Sequence, residues 1–114
     1  MIYIIKDKAT PAEIKEMLEM LEMLKSYIKL AVDIDREILA GGGAMQADCE
    51  AVLLDDGSQQ ELIWGADWDP TAQLVTFESL INIRPRQNNP SMELLDPAIR
   101  EKVAGIVLKR LGGI

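Results

Sequence analysis

Asp33 with Asp35, and Asp67 with Asp69, form two Asp-x-Asp pairs. In an extended strand, residues two apart project from the same face, so each pair would hold two carboxylates side by side. Carboxylates on neighbouring strands suit a hard, oxygen-seeking cation such as Mg²⁺ or Mn²⁺, and Arg84 would steady a phosphate beside it. That constellation describes a divalent-cation-dependent phosphodiesterase or nuclease. The pairs bracket residues 33–69, a stretch with ten acidic residues against the single base Arg36. An acidic chain also produces Asp-x-Asp by chance, and the same residues fit a solvated face or a surface for a basic partner. The sequence leaves all three readings open, and with them whether the protein is an enzyme.

A second set of groups lies at 84–91. Arg84, Arg86, Asn88, Asn89 and Ser91, with Gln87 among them, join positive charge to many hydrogen-bond donors, a composition suited to a carboxylate or phosphate ligand. It equally suits a structural loop in which Arg84 or Arg86 pairs with acidic side chains of neighbouring strands and relieves their repulsion. Gly41-Gly42-Gly43 lacks the spacing of phosphate-binding loops and reads as a turn, with backbone anion binding as its alternative. Trp64 and Trp68 share strand parity and read as sheet packing, and Cys49 reads as a small buried hydrophobe.

Composition narrows the chemistry. The chain has no histidine and one cysteine, which removes Ser-His-Asp triads, the usual zinc sites and any intramolecular disulfide. Carboxylates, Lys, Tyr or an oxygen-bound cation would have to carry any catalysis. No cofactor is expected unless Mg²⁺ or Mn²⁺ serves the acidic pairs. The formal charge of −7 argues against nucleic acid and anionic membranes as partners. No run reaches the ~18 apolar residues of a membrane span, and MIYIIKDK is too short for a signal peptide, so the expected location is the cytoplasm. At 114 residues, 48% hydrophobic and 27% charged, residues 1–114 read as one domain able to bury its own core.

The elements that must position these groups follow from periodicity and caps. Residues 1–6 are a β-branched strand. Thr10, Pro11 and Glu13 give a capping box with proline at the first helical position, opening a helix to about Ser26. Met17, Leu18, Leu21 and Leu24 form its core stripe. Met20 and Met23 widen that stripe, so the face over 17–24 is expected to meet a second copy of the chain as well as its own core. From Tyr27 the period becomes two, and a strand through Asp35 is expected to continue toward Leu39. Residues 50–54 and 60–68 read as strands joined by a hairpin at Asp56-Gly57, and 73–84 as a further strand. Asp96 and Pro97 open a last helix whose buried stripe is Ile99, Val103, Ile106 and Val107. The expected fold is α+β, a single β-α-β-β-β-β-α domain with a mostly antiparallel meander sheet and two helices packed on one face.

The runs ILAGGG (38–43), ADCE (47–50), LLDDGS (53–58), IWGADWDP (63–70) and FESLINIRPRQNN (77–89) together resemble a domain-of-unknown-function family of small prokaryotic proteins. The resemblance implies an intracellular, single-domain protein, assigns no catalytic residue, and implies histidine in relatives where this chain has Gln46. The leading functional expectation is a small cytoplasmic, self-associating interaction module. The cation-dependent phosphodiesterase is the alternative.

Overall fold

The computed structural model describes residues 2–19 and 27–113. Its elements run β1 (Tyr3–Ile5), α1 (Pro11–Glu19), β2 (Ile28–Asp33), β3 (Ile38–Gly41), α2 (Gln46–Asp55), β4 (Ile63–Asp69), β5 (Leu74–Thr76) and α3 (Pro97–Leu111). The protein is α+β with a five-stranded, wholly antiparallel sheet of order β1-β3-β2-β4-β5. The expected β-α-β-β-β-β-α order and simple meander give way to three helices and two crossovers.

Local chemistry explains each departure. The strand expected to run on past Asp35 folds back as the β2-β3 hairpin. Asp33 Oδ1 accepts from the backbone N–H groups of Asp35 and Arg36 at 2.9 and 3.0 Å, and Glu37 closes the turn at φ 55°. The strand expected at 50–54 is helix α2. Cys49 and Leu53 stand one turn apart and are buried, and the Asp48 carboxylate accepts from the N–H of Met45 at its start. Asp56-Gly57 is the end of that helix and not a hairpin turn. Gly57, at φ 103°, and Ser58 donate to Leu54 and Leu53 carbonyls at 3.1 and 2.9 Å in a Schellman arrangement.

The caps read from sequence form as expected. Thr10 and Glu13 exchange reciprocal bonds of 2.9 and 3.1 Å at the head of α1, and Asp96 accepts from Ala98 N–H at 2.8 Å at the head of α3.

Both crossovers skip one strand. β1 and β2 are each antiparallel to β3 and so parallel to one another, and β3 and β4 are related in the same way across β2. The two connections step across the sheet in the same direction while their strands point oppositely. Right-handed crossovers then require α1 and α2 on opposite faces. The core divides accordingly. Ile14 and Met17 of α1 share a cluster with Leu30, Val32, Trp64 and Trp68 and with Val103, Val107 and Leu111 of α3. Cys49 and Leu53 of α2 pack with Ala31, Ile38, Ala40 and Ile63 on the other side.

Beyond β5 the chain wraps the edge of β4 without continuing as a strand. β5 pairs only with residues Asp67 to Asp69, so the N–H and C=O of Gly65 face away from β2 with no strand beside them. The buried Asn82 carboxamide takes that place, accepting from Gly65 N–H at 2.8 Å and donating to its carbonyl at 3.0 Å. A side chain at Gly65 is excluded, because its Cβ would stand 2.4 Å from Ser79 Cβ. The expected strand over 73–84 therefore shortens to β5, followed by 3₁₀ turns at Leu80–Asn82 and Pro85–Gln87. Asn89, also buried, donates to Asn82 carbonyl at 2.7 Å and accepts from Leu95 N–H at 2.8 Å, tying the far end of the wrap to its start.

Asn82→Ala leaves two backbone groups unpaired, each costing about 1–3 kcal/mol, and Gly65→Ala overpacks the contact with Ser79 by a comparable amount. Both should lower the urea midpoint at unchanged slope. Gly105→Ala, on the exposed side of α3 where a Cβ meets nothing, should raise it, with a gain in stability of about 0.5–1 kcal/mol.

Candidate binding clefts

The wrapped segment meets α2 and the sheet edge, and two clefts open there on either side of Leu80. The first, about 530 Å³, is bounded by Glu50 of α2, Glu61, Leu80, Ile83, Arg84 and Arg86. The second, about 470 Å³, is bounded by Lys29, Met45, Gln46, Asp67, Glu78 and Met92. Both volumes fall in the range of small-ligand sites.

Arg84 forms the inner wall of the first cleft. Its guanidinium lies over the Trp64 ring, 4.6 Å from the centroid, donates from Nε to Ile81 carbonyl at 2.9 Å and from Nη1 to Gln60 carbonyl at 2.8 Å, and pairs through Nη2 with Glu50 at 3.2 Å. The expected ion pair between Arg84 and an acidic neighbour thus exists, with a partner from helix α2 instead of a strand. Both side chains are largely shielded, at 10% and 13% exposure. Burial raises the Glu50 carboxyl above its ordinary value, opposed by Arg84 and a hydrogen bond from Gln60, and burial lowers Arg84. The attraction does not fully offset the desolvation of the carboxylate.

The other residues of 84–91 divide by role. Arg86 is exposed at the lip of the cleft and makes no hydrogen bond or ion pair with a described residue. Asn88 is exposed in the left-handed region at φ 60°. Asn89 is spent on the interior hydrogen bonds of the wrap, and Ser91 Oγ accepts from Glu93 N–H at 3.1 Å. The five residues do not converge on one point.

The acidic pairs do not converge either. Asp33 stands opposite Ile63 and Asp67 opposite Lys29, so the pairs lie four to six residues apart along the ladder, roughly 13–20 Å. Ligands of a shared cation would all have to come within ~2.0–2.6 Å of it. Asp33 serves the β2-β3 turn, and Asp69 serves the next one by accepting from Thr71 and Ala72 N–H at 2.9 and 3.0 Å. Asp35 follows Asp33 in the turn, exposed. Asp67 accepts from Gln46 at 2.8 Å in the second cleft. Among the described residues no group of three or more Cys, Asp or Glu is placed to hold a metal ion.

Cys49 is buried, and burial pushes its thiol up to about 11, which leaves it protonated and unreactive near neutral pH. Sequence reasoning missed Glu50, Gln60 and Lys29 as cleft residues. Glu50 was read as part of a strand, and only the helical spacing of Cys49 and Leu53 could have turned it toward Arg84.

Among the described residues the molecule is a small α+β protein with a helix on one face of an antiparallel sheet and two on the other, and these two clefts open at the sheet edge. It belongs to a protein family of unknown function, DUF5674, whose model matches residues 3–110. No curated protein and no solved structure matches the chain. Among the described residues no helix is long and apolar enough to cross a membrane.

The raised Glu50 has a definite signature in stability. Its charged form penalises the fold at pH values above its folded pKa, and the penalty fades as pH falls through that value toward the ordinary carboxylate range. Glu50→Gln removes the effect. Between neutral and mildly acid pH, the stability of the wild type relative to Glu50→Gln should therefore rise as pH falls, as read from urea midpoints. A falling difference would mean that the ion pair with Arg84 outweighs the desolvation.

Proposed function

We propose that the protein is a small cytoplasmic interaction module that associates with a second copy of itself through the apolar ridge lining the second cleft. The observation that carries this reading is the exposure of three large apolar side chains on one surface: Leu80 at 59%, Met45 at 49% and Met92 at 38%. Contiguous exposed apolar side chains on a chain of this size mark contact surfaces. Lys29 and Glu78 border the same cleft, and neither is ion-paired to a described residue. In a twofold interface each patch meets its own copy, so Lys29 of one protomer would face Glu78 of the other, which suits a second copy of an acidic chain.

The ridge replaces part of the helix face expected from the sequence. Met17 is buried in the chain's own core and Leu18 packs against it, while Met20, Leu21, Met23 and Leu24 lie outside the described residues. Tyr27, the first described residue after them, lines the ridge cleft. The cytoplasmic assignment rests on the single buried thiol, which needs no oxidising compartment.

Light scattering over a dilution series tests the proposal. A concentration-dependent dimer is expected, with Leu80→Glu and Met92→Glu each weakening it by at least about tenfold. A wild type that stays monomeric at every concentration, or a dimer that neither substitution affects, would overturn it.

A further inference from the structure

The first cleft lies across Leu80 from the second, shares that side chain with the ridge, and carries its own chemistry. Of its four ionised side chains, Glu50 and Arg84 neutralise one another in the wall, at 3.2 Å, with the guanidinium held flat on Trp64. The remaining two, Arg86 and Glu61, are exposed and of opposite sign; neither stands within ion-pair distance of a described residue, although Glu61 lies close enough to Arg84 to support its charge. The segments that carry them are tied together: Gln87, next to Arg86, donates to the Glu61 carbonyl at 2.9 Å, and Arg84 donates to the carbonyl of Gln60. The same cleft presents apolar surface from Leu80 and Ile83, which are 59% and 44% exposed.

An apolar wall in the same cleft as an exposed cation and an exposed anion discriminates among ligand classes. A simple carboxylate would meet Arg86 but be repelled by Glu61 and by the −7 charge of the chain. A simple amine would have the reverse problem at Arg86. A zwitterion with an apolar body meets both charges and enters an acidic protein without net repulsion. The geometry points to a free amino acid with a large apolar side chain as the ligand: its carboxylate on Arg86, its ammonium on Glu61 and its side chain against Leu80 and Ile83. Carboxylate recognition by the guanidinium fork supplies the orientation, and the apolar contact supplies the burial. No bond is made or broken, and the site needs no second copy of the chain; because the ridge contact would cover Leu80, a strict monomer would bind at least as well.

Titration calorimetry of the full-length protein with L-phenylalanine and L-leucine tests this. The companion titrations use 3-phenylpropanoate, which lacks the ammonium, and 2-phenylethylamine, which lacks the carboxylate. Saturable binding of the amino acids is expected, with both truncated ligands at least tenfold weaker. Arg86→Ala and Glu61→Gln should each weaken L-phenylalanine at least tenfold. Both positions are exposed, and unchanged circular dichroism and urea midpoints would confirm that the variants fold. No heat at millimolar amino acid would overturn the site, and so would an Arg86→Ala protein that binds as tightly as wild type. Equal affinity for 3-phenylpropanoate, or an unaffected Glu61→Gln, would overturn the zwitterion assignment.

Discussion

The pairing of the Asn82 carboxamide with the backbone of Gly65 determines the shape of the face that carries the two clefts. A strand edge with an open N–H and C=O invites another strand, from this chain or a different one. Here one amide side chain supplies the donor and the acceptor that a strand would have offered, in a space that only glycine leaves. Because the pairing is made by a side chain, the backbone from Ser79 to Asn89 is released from strand geometry. It turns twice, sends Arg84 back over Trp64 to Glu50, and leaves Leu80 and Ile83 exposed. Both clefts exist because that segment is not a strand.

The sheet core imposes the complementary constraint. Right-handed crossovers put α1 and α2 on opposite faces, and α3 joins α1, so both broad surfaces of the central strands are covered. The small residues Ala31 and Ala40 let α2 sit close on its side. The two clefts open at the margin where β4, α2 and the wrapped segment meet.

What the sequence disclosed was whatever is encoded by neighbours along the chain. The capping box at Thr10 and Glu13, the Asp96 cap, the alternation of Ile28, Leu30 and Val32, and the Trp64 and Trp68 parity all depend on spacings of two to four residues, and all are found where expected. The α2 helix was hidden because Asp56-Gly57, a strong hairpin signal, is equally the left-handed stop of a helix, and only the partner elements decide which. The Asp-x-Asp pairs misled for a related reason. An aspartate before a turn accepts from the N–H groups two and three residues on: Asp33 does so and Asp35 falls in the turn, while Asp69 ends β4 and its own carboxylate is spent on the turn that follows. Arg84 was legible as a residue seeking an acid. Which acid it finds depends on a helix that was itself misread.

The interleaving of the two crossovers also orders assembly in time. β2 and β3 are joined by a four-residue turn and occupy the middle of the sheet, and each crossover passes over one of them. Neither β1 nor β4 has a place to dock until that hairpin exists, because each pairs with one of its two strands. Contacts closed by a short turn form long before those that must first close a long loop. The sheet therefore grows outward from a central seed, and β1, although it precedes both hairpin strands in the chain, must wait for a strand more than thirty residues downstream before it can find its partner.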